Sequence, residues 1–258
     1  MIYILTSSIA SMPAFLEEYK TVESLSEVPY GSKVVMFNYG KLIKKEDLGK
    51  IDLYNVHNSL LPKYRGLHAF TWAIINGETE LGYTLHKVTE GIDDGAIMSQ
   101  IKFTLSIDEN INDAFEKGNE VLERWLPQQL EILERGSYDL VEQDCSKACY
   151  VARRREEDAI IDWRTSSVRV HNFIRSMTPP YTSGAYTFFE AKKLFILESS
   201  IVDSVDYIGS NGQIVAHFPK RGVLIKTGDS VLLVKVISYE GVVYNAMDFF
   251  KTSGARLG

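Results

Sequence analysis

Asn55 and His57 have the side-chain types and the spacing that group-transfer chemistry uses. They stand two residues apart at the start of N-V-H-N-S-L-L-P-K-Y-R-G, which runs from Asn55 to Gly66. Strand side chains alternate between two faces, so this amide and this imidazole share a face if a strand continues to His57. A fixed amide N–H can stabilise a developing oxyanion, and an imidazole can donate to the same oxygen or relay a proton.

An amine that attacks an acyl carbon also loses a proton, so such a site needs a carboxylate as the base. The glycine-flanked tract T-E-G-I-D-D-G, from Thr89 to Gly95, offers Asp93 and Asp94. The residues alone leave both candidates open. An Asn-x-His pair by itself is also more often structural than catalytic, so the pair needs this second element before it indicates an active site.

The first half of the chain has the order of elements that builds a parallel sheet. Short apolar strands are expected at Met1–Ser7, Lys33–Asn38 and Leu53–His57, with a helix over Ala10–Lys20 after the first. A two-strand unit, with the two aspartates in the loop at its tip, is predicted over Gly82–Val88 and Ala96–Phe103. Further helices are predicted at Lys44–Leu48, Ala69–Asn76 and Ile111–Arg135, the last with a kink or break at Pro127.

Beyond residue 145 the composition changes. The cluster Arg153–Asp158 has charges of both signs and indicates a solvated or salt-bridged connector, which a helix over Ser166–Ser176 follows. From Gly184 onward, short strands between turn signals predict a small barrel or an open sheet. We therefore predict an α/β fold with a mostly parallel, Rossmann-like catalytic domain over 1–145, a connector over 146–183, and a smaller β-rich, OB-like or small-barrel domain over 184–258.

The bulk composition is that of an ordinary globular protein. The 258 residues are 45% apolar and 24% charged, with a net charge of −6 that argues against non-specific binding to nucleic acid. No apolar run approaches the roughly 20 residues that span a bilayer, and the start lacks a signal-peptide pattern, so we expect a cytoplasmic protein without a membrane partner. The two cysteines, Cys145 and Cys149, have no nearby histidine, so we expect packing residues and no metal.

The two polar elements together resemble the catalytic signature of the folate-dependent formyltransferases. That signature covers N-x-H-x-S-L-L-P-x-Y-R-G and then G-Y-T-L-H-K-V-T-E-G-I-D-D-G, which ends at Gly95. The resemblance implies a catalytic triad of Asn55, His57 and Asp93, with 10-formyltetrahydrofolate as the formyl donor and a tetrahedral intermediate held by the first two. It favours Asp93 over Asp94 because the family places its carboxylate two positions before this glycine.

By the same resemblance, main-chain groups of two segments form the donor pocket. They match Lys41, Leu42 and Ile43 after the strand that precedes the motif, and Thr89, Glu90 and Gly91 in the loop that leads to the aspartate. Main-chain recognition suits a pterin edge, because that edge alternates donors and acceptors. His86 is expected to be a core histidine or one that supports the site.

The motifs K-Y-R-G and N-G-E-T-E-x-G-x-T-L-H are most similar to those of the nucleotide-sugar N-formyltransferases. This similarity favours the amine of a nucleotide-linked amino sugar (dTDP-, UDP- or similar) as the acceptor. Candidate acceptor contacts are Tyr64, Arg65 and Arg175. A structural role for Arg175, linking the two domains, is equally compatible with the sequence. Three alternatives stay open: a methionyl-tRNA formyltransferase, a hydrolase of the formyl donor, and a catalytically silent module.

The resemblance also implies a compact form of the family. Its members usually have about a hundred residues before the Asn-x-His pair, whereas Asn55 follows only 54 residues here. The nucleotide-binding-like N-terminal sheet is therefore expected to be shortened. Apolar strands in the β-rich region suggest a possible homodimer.

Overall fold

The computed structural model describes residues 1–203 and 206–258, which form two compact units. The first unit comprises Met1–Ala69, Glu80–Thr104 and Phe115–Arg153, and the second comprises Phe70–Thr79, Leu105–Ala114 and Arg154–Gly258. This division differs from the predicted domains, because most of the predicted connector and two inserted segments cluster with the β-rich region. The reason lies in the apolar residues of the connector, since Ile161, Trp163 and Val170 are buried in the core of the second unit.

Six strands form the sheet of the first unit, in the spatial order β2-β1-β3-β4-β6-β7. Strands β1 to β4 run parallel, whereas β6 and β7 are an antiparallel extension at one edge. A separate two-stranded parallel pair, β5 and β8, lies outside this sheet. The strands are β1 (Ile2–Leu5), β2 (Lys20–Val22), β3 (Lys33–Met36), β4 (Asp52–His57), β5 (Arg65–Gly66), β6 (Glu80–Lys87), β7 (Ile97–Thr104) and β8 (Tyr150–Val151).

The helix expected over Ala10–Lys20 is wrong. The structure has two single 3₁₀ turns there, Ile9–Ser11 and Ala14–Leu16, and β2 begins at Lys20. Pro13 lies between the turns, where it has no N–H to donate and disfavours helical backbone at the residue before it. The apolar spacing of this stretch therefore cannot produce a continuous helix.

Four further helices lie close to their predicted positions, whereas a short fifth helix near the end of the chain was not predicted. They are α1 (Lys45–Leu48), α2 (Ala69–Ile75), α3 (Ile111–Arg135), α4 (Ser167–Arg175) and α5 (Ala246–Phe249). Helix α3 is continuous through Pro127, where a kink or break was expected. Its buried residues Leu122, Leu126, Leu130 and Leu133 recur at helical spacing and give it one apolar face.

The second unit is built on an antiparallel sheet of six strands. Its order is β11-β12-β13-β10-β9, with β14 paired to β13. The strands are β9 (Ala185–Phe189), β10 (Lys192–Ile201), β11 (Ile214–Phe218), β12 (Gly222–Lys226), β13 (Val231–Tyr239) and β14 (Val242–Asn245). Together with the first sheet, this confirms the predicted fold class. Within the described ranges, no helix has the length and apolarity needed to cross a membrane.

Candidate active site

Strand β4 ends on the predicted catalytic pair. Asn55 and His57 are two residues apart on β4, so their side chains leave the same face. In the antiparallel register with β6, Asn55 lies directly opposite His86, and His57 lies opposite Thr84. Cross-strand neighbours are close enough for their side chains to interact, and Asn55 Nδ2 lies 3.3 Å from His86 Nε2.

Asp93 comes from the loop between β6 and β7 and meets this pair. Its Oδ1 accepts a hydrogen bond from Asn55 Nδ2 at 3.3 Å, and its Oδ2 lies 3.6 Å from His57 Nδ1. The Gly66 N–H donates to Oδ2 at 2.8 Å. Asp94 points elsewhere, since its carboxylate accepts a hydrogen bond from the Thr89 hydroxyl within the loop. Of the two candidate carboxylates, the structure brings only Asp93 to Asn55 and His57.

The tautomer of His57 follows from its hydrogen bond to a main-chain carbonyl. His57 Nε2 lies 2.9 Å from the carbonyl oxygen of Tyr64, which can only accept, so Nε2 carries the proton. Nδ1 of the neutral ring then has a lone pair that faces Asp93. Burial lowers the pKa of His57, although Asp93 and the bond to Tyr64 act in the opposite direction. At neutral pH the ring is therefore uncharged, and Nδ1 can take up a proton.

The carboxyl group of Asp93 is ionised at neutral pH. Burial raises the pKa of Asp93, but hydrogen bonding to His86 and the charges of His57 and His86 outweigh burial and lower that pKa to about 2. Such a carboxylate is a weak base. It is well suited to stabilise an imidazolium, because an opposite charge within a few ångströms favours the charged form.

Two further side chains at the site carry little signal in the sequence. His86 donates from Nδ1 to the carbonyl oxygen of Lys87 at 2.8 Å, and its Nε2 lies 3.3 Å from Asn55 Nδ2 and 3.4 Å from Asp93 Oδ1. His86 therefore lies beside the triad, in a position where it can support the site. The buried Gln143 was not singled out in the sequence, although its Nε2 donates to the carbonyl oxygens of Asp93 and Gly95. Its isolation in the sequence, fifty residues from Asp93, left no local pattern.

The candidate acceptor contacts in the motif lie in buried, bonded positions. Arg65 is 2% exposed and donates to Gln143 and to the Tyr150 hydroxyl. Tyr64 is buried with a φ of 59° and provides the carbonyl that fixes His57. These placements favour shaping of the site by Tyr64 and Arg65 over direct contact with an acceptor.

Arg175 lies in the second unit and is 5% exposed. Its guanidinium donates to the side chain of Asn172 and to the carbonyl oxygens of Ser106 and Glu109. These bonds join the end of α4 to the segment before α3. They favour a structural role for Arg175 over a phosphate contact.

The two candidate donor-binding segments face each other in the first unit. Lys45, just after Lys41–Ile43, forms a 2.8 Å ion pair with Glu90 in the segment Thr89–Gly91. Within the described part of the chain, no hydrogen bond engages the main chain of Lys41, Leu42 or Ile43. The side chains of Leu42 and Ile92 are 90% and 54% exposed. Free main-chain donors and acceptors beside exposed apolar side chains are what a flat heteroaromatic ring with a polar edge requires.

The two cysteines do not pack as expected. Cys145 and Cys149 are both exposed and free, and Cys149 Sγ accepts from the main-chain N–H of Tyr64 at 3.1 Å. Among the described residues, no group of three or more His, Cys, Asp and Glu side chains is arranged to hold a metal ion.

Two family models match the chain, and between them they cover most of it. The formyl transferase model matches residues 17–130, and the model of the formyl transferase C-terminal domain matches residues 154–254. The methionyl-tRNA formyltransferase of Desulfotalea psychrophila is 33% identical over 229 residues, which cover 87% of this chain and 69% of that protein. The chain belongs to the formyl transferase family. The resemblance stated from the Asn55–Gly95 signature is confirmed, and this formyltransferase is a folate-dependent formyl transfer enzyme.

Two solved structures of sugar formyltransferases are similar to this formyltransferase. WlaRD, a sugar 3N-formyl transferase crystallised with dTDP and 5-N-formyl-THF, is 25% identical with a TM-score of 0.66, and the match covers 84% of this chain and 76% of that chain. The N-formyltransferase from Helicobacter canadensis, solved with folinic acid and dTDP-3-aminofucose, is 25% identical with a TM-score of 0.65 over 83% of this chain and 78% of that one. Relatives with two different classes of acceptor therefore share this fold.

Proposed function

We propose that this formyltransferase transfers the formyl group of 10-formyltetrahydrofolate to the amine of a nucleotide-linked amino sugar. The observation that carries the chemistry is the convergence of Asn55, His57 and Asp93 at one end of β4. The Asp93 carboxylate lies within 3.6 Å of polar atoms of both partners. An amide donor, a neutral imidazole and a fixed carboxylate are the groups that acyl transfer to an amine requires.

The donor supplies a formyl group on a nitrogen that can leave once it is protonated. The segments Lys41–Ile43 and Thr89–Gly91 hold the donor through their main-chain groups, and Leu42 and Ile92 cover its apolar parts. A new bond forms between the acceptor nitrogen and the formyl carbon while the bond to the donor nitrogen breaks. One proton moves from the acceptor amine to the departing nitrogen, so the reaction needs no other reactant.

His57 and Asp93 act together on that proton. His57 Nδ1 takes it from the amine, and the resulting imidazolium is stabilised by Asp93 at 3.6 Å. Because the pKa of Asp93 is about 2, the carboxylate serves as the counter-charge, and the imidazole is the stronger base of the two. Asn55 donates from Nδ2 to the negative charge that develops on the formyl oxygen.

Two observations support a sugar nucleotide as the acceptor. The two sugar formyltransferase structures described above match this chain over 76% and 78% of their own length, and their complexes contain dTDP or a dTDP-linked amino sugar. The second unit carries thirteen Lys and Arg residues against fifteen Asp and Glu. An excess of negative charge is unfavourable for binding a polyanion such as tRNA.

The second candidate acceptor is the amine of methionyl-tRNA. The 33% identity to the Desulfotalea psychrophila enzyme favours it, because that relative matches over most of this chain. Hydrolysis of the donor by water is a third outcome, since water can take the place of the amine at the same three side chains.

One incubation experiment separates these outcomes. The protein is mixed with 10-formyltetrahydrofolate and, in parallel, with a panel of amino-sugar nucleotides, with methionyl-tRNA, or with no acceptor. Mass spectrometry of the sugar nucleotides is expected to show the gain of one formyl group, with donor consumption that depends on the acceptor. Formylation of methionyl-tRNA alone, with a steep fall in rate as salt rises, would replace the sugar by tRNA. Full donor consumption without any amine would indicate the hydrolase.

A further inference from the structure

Asp93 adopts a backbone conformation that its surroundings must hold. Its φ is 48°, in the left-handed region that most side chains avoid, although aspartate tolerates it better than most. Two residues later, Gly95 packs so closely that a Cβ there would collide with the carbonyl oxygen of Lys87. The position of the Asp93 carboxylate therefore depends on the main-chain conformation of this loop, and hydrogen bonds to the loop main chain must hold that conformation.

Gln143 supplies these partners from a distant part of the chain. The side chain of Gln143 uses its Nε2 group twice, donating to the Asp93 carbonyl oxygen at 2.8 Å and to that of Gly95 at 2.7 Å. Its Oε1 accepts from Arg65 Nε at 3.1 Å and from Arg65 Nη2 at 2.8 Å. Gln143 is 8% exposed and Arg65 is 2% exposed, so water competes little for these bonds.

These bonds close a ring that includes both the main chain and the carboxylate of Asp93. Arg65 is covalently followed by Gly66, whose N–H donates to Asp93 Oδ2 at 2.8 Å. Arg65 is itself held by the Tyr150 hydroxyl at 2.7 Å and by the pairing of β5 with β8. The ring therefore runs from Gly66 to Arg65, to Gln143, to the Asp93 carbonyl, and back through the Asp93 carboxylate. It fixes the carboxylate relative to His57 on β4.

We propose that Gln143 is a positioning residue for formyl transfer, which sets the Asp93 carboxylate against His57 Nδ1 by bridging Arg65 to the Asp93–Gly95 main chain. This inference rests on the proposed roles of His57 and Asp93. Gln143 touches neither acceptor nor donor. A shift of a reacting group by about 1 Å can cost on the order of 10²-fold in rate, so its loss should lower kcat while leaving the KM for the donor nearly unchanged.

Gln143→Glu is the sharpest variant because it preserves one half of the bridge and removes the other. A glutamate has the same length and still accepts the fork of Arg65, which keeps the buried guanidinium paired. It has no N–H for the carbonyl oxygens of Asp93 and Gly95 and places an oxygen against them. Gln128→Glu makes the same chemical change at another position of the chain, on α3, and is the matched control.

The expected result is a fall in kcat of on the order of 10²-fold in a folded Gln143→Glu, with wild-type kcat and an unchanged thermal midpoint in Gln128→Glu. The thermal midpoint of Gln143→Glu should fall, because two buried carbonyl oxygens lose their donor. A kcat within about threefold of wild type in a folded Gln143→Glu would overturn the proposal, because a displacement that matters should cost far more. An effect confined to KM would also overturn it.

A second measurement does not depend on the acceptor or on activity. In the uncharged variant Gln143→Met, the Asp93 carboxylate is free to move away from His57, so the pKa of His57 should fall, because Asp93 raises it. This pKa is read from an NMR titration of the ring nitrogens, and the acid limb of kcat/KM should move to lower pH with it. An unchanged His57 pKa would refute the positioning role of Gln143 even if no acceptor is formylated. A wild-type protein that formylates nothing, with a lowered His57 pKa in Gln143→Met, would instead refute the proposed function alone.

Discussion

The Asp93→Asn substitution tests the electrostatic core of the proposed mechanism with little disturbance of the fold. Asparagine keeps the side-chain shape and tolerates the left-handed backbone found at this position. The oxygen that accepts from Gly66 and the carbonyl that accepts from Gln143 both remain. The substitution removes the negative charge that faces His57 and places the new amide nitrogen at the Oδ1 position, toward Asn55 and His86.

The magnitude follows from the distance between the two groups. At 3.6 Å, opposite unit charges attract by about 4 to 5 kcal/mol if the effective dielectric constant is near 20. Because about 1.4 kcal/mol corresponds to a factor of ten in rate, loss of this attraction in the transition state lowers kcat by roughly 10³-fold.

The assay is the rate of formyl transfer with donor and acceptor both saturating, measured over a range of pH. Asp94→Asn is the matched control, since the Asp94 carboxylate accepts from Thr89 within its own loop and should alter the KM for the donor more than kcat. A loss in Asp93→Asn of less than about tenfold would refute the assignment, because it is far below the expected electrostatic effect. So would a larger fall in the kcat of Asp94→Asn than in that of Asp93→Asn.

Three further predictions concern the site and the fold. Asn55→Ala should lower kcat by ~10²–10³-fold with a folded protein, because it removes a donor to the developing oxyanion; a wild-type rate would exclude that role. The pKa of Asp93 is lowered from 3.8 to about 2 in the folded protein, so the ionised carboxylate stabilises the fold above pH 3.8 and this stabilisation is lost as the pH falls toward 2. In urea titrations between these pH values, wild type should lose about 2 kcal/mol more unfolding free energy than Asp93→Asn. Equal losses in the two proteins would contradict the ionised, hydrogen-bonded carboxylate. Pro127→Ala should raise the unfolding free energy by about 1 to 3 kcal/mol, because α3 continues through Pro127 without the N–H that alanine would provide, and an unchanged thermal midpoint would count against that account.

Much of the first sheet was predictable because its elements are locally encoded. Strand β4 and the β6–β7 unit have short apolar patterns between turn residues, and α3 has a long amphipathic pattern whose predicted bounds match the structure. The failure at Ala10–Lys20 is instructive, because the apolar spacing there is helical and Pro13 nevertheless prevents the helix. The prediction followed the helical spacing of the apolar residues, whereas the structure follows the backbone restriction that Pro13 imposes.

The candidate site divides along the same line. The sequence by itself determined Asn55, His57 and the pair of candidate aspartates, because their spacing fixes a shared strand face and a loop at a strand tip. The residues alone left both aspartates open and the family resemblance favoured Asp93, while the tertiary structure shows that Asp93 is the one that faces His57. It also decided that Arg65 and Arg175 are buried and bonded, and that Gln143 supports Asp93. Such contacts join residues far apart in the chain, and their partners are set by packing, which no local pattern of residues records.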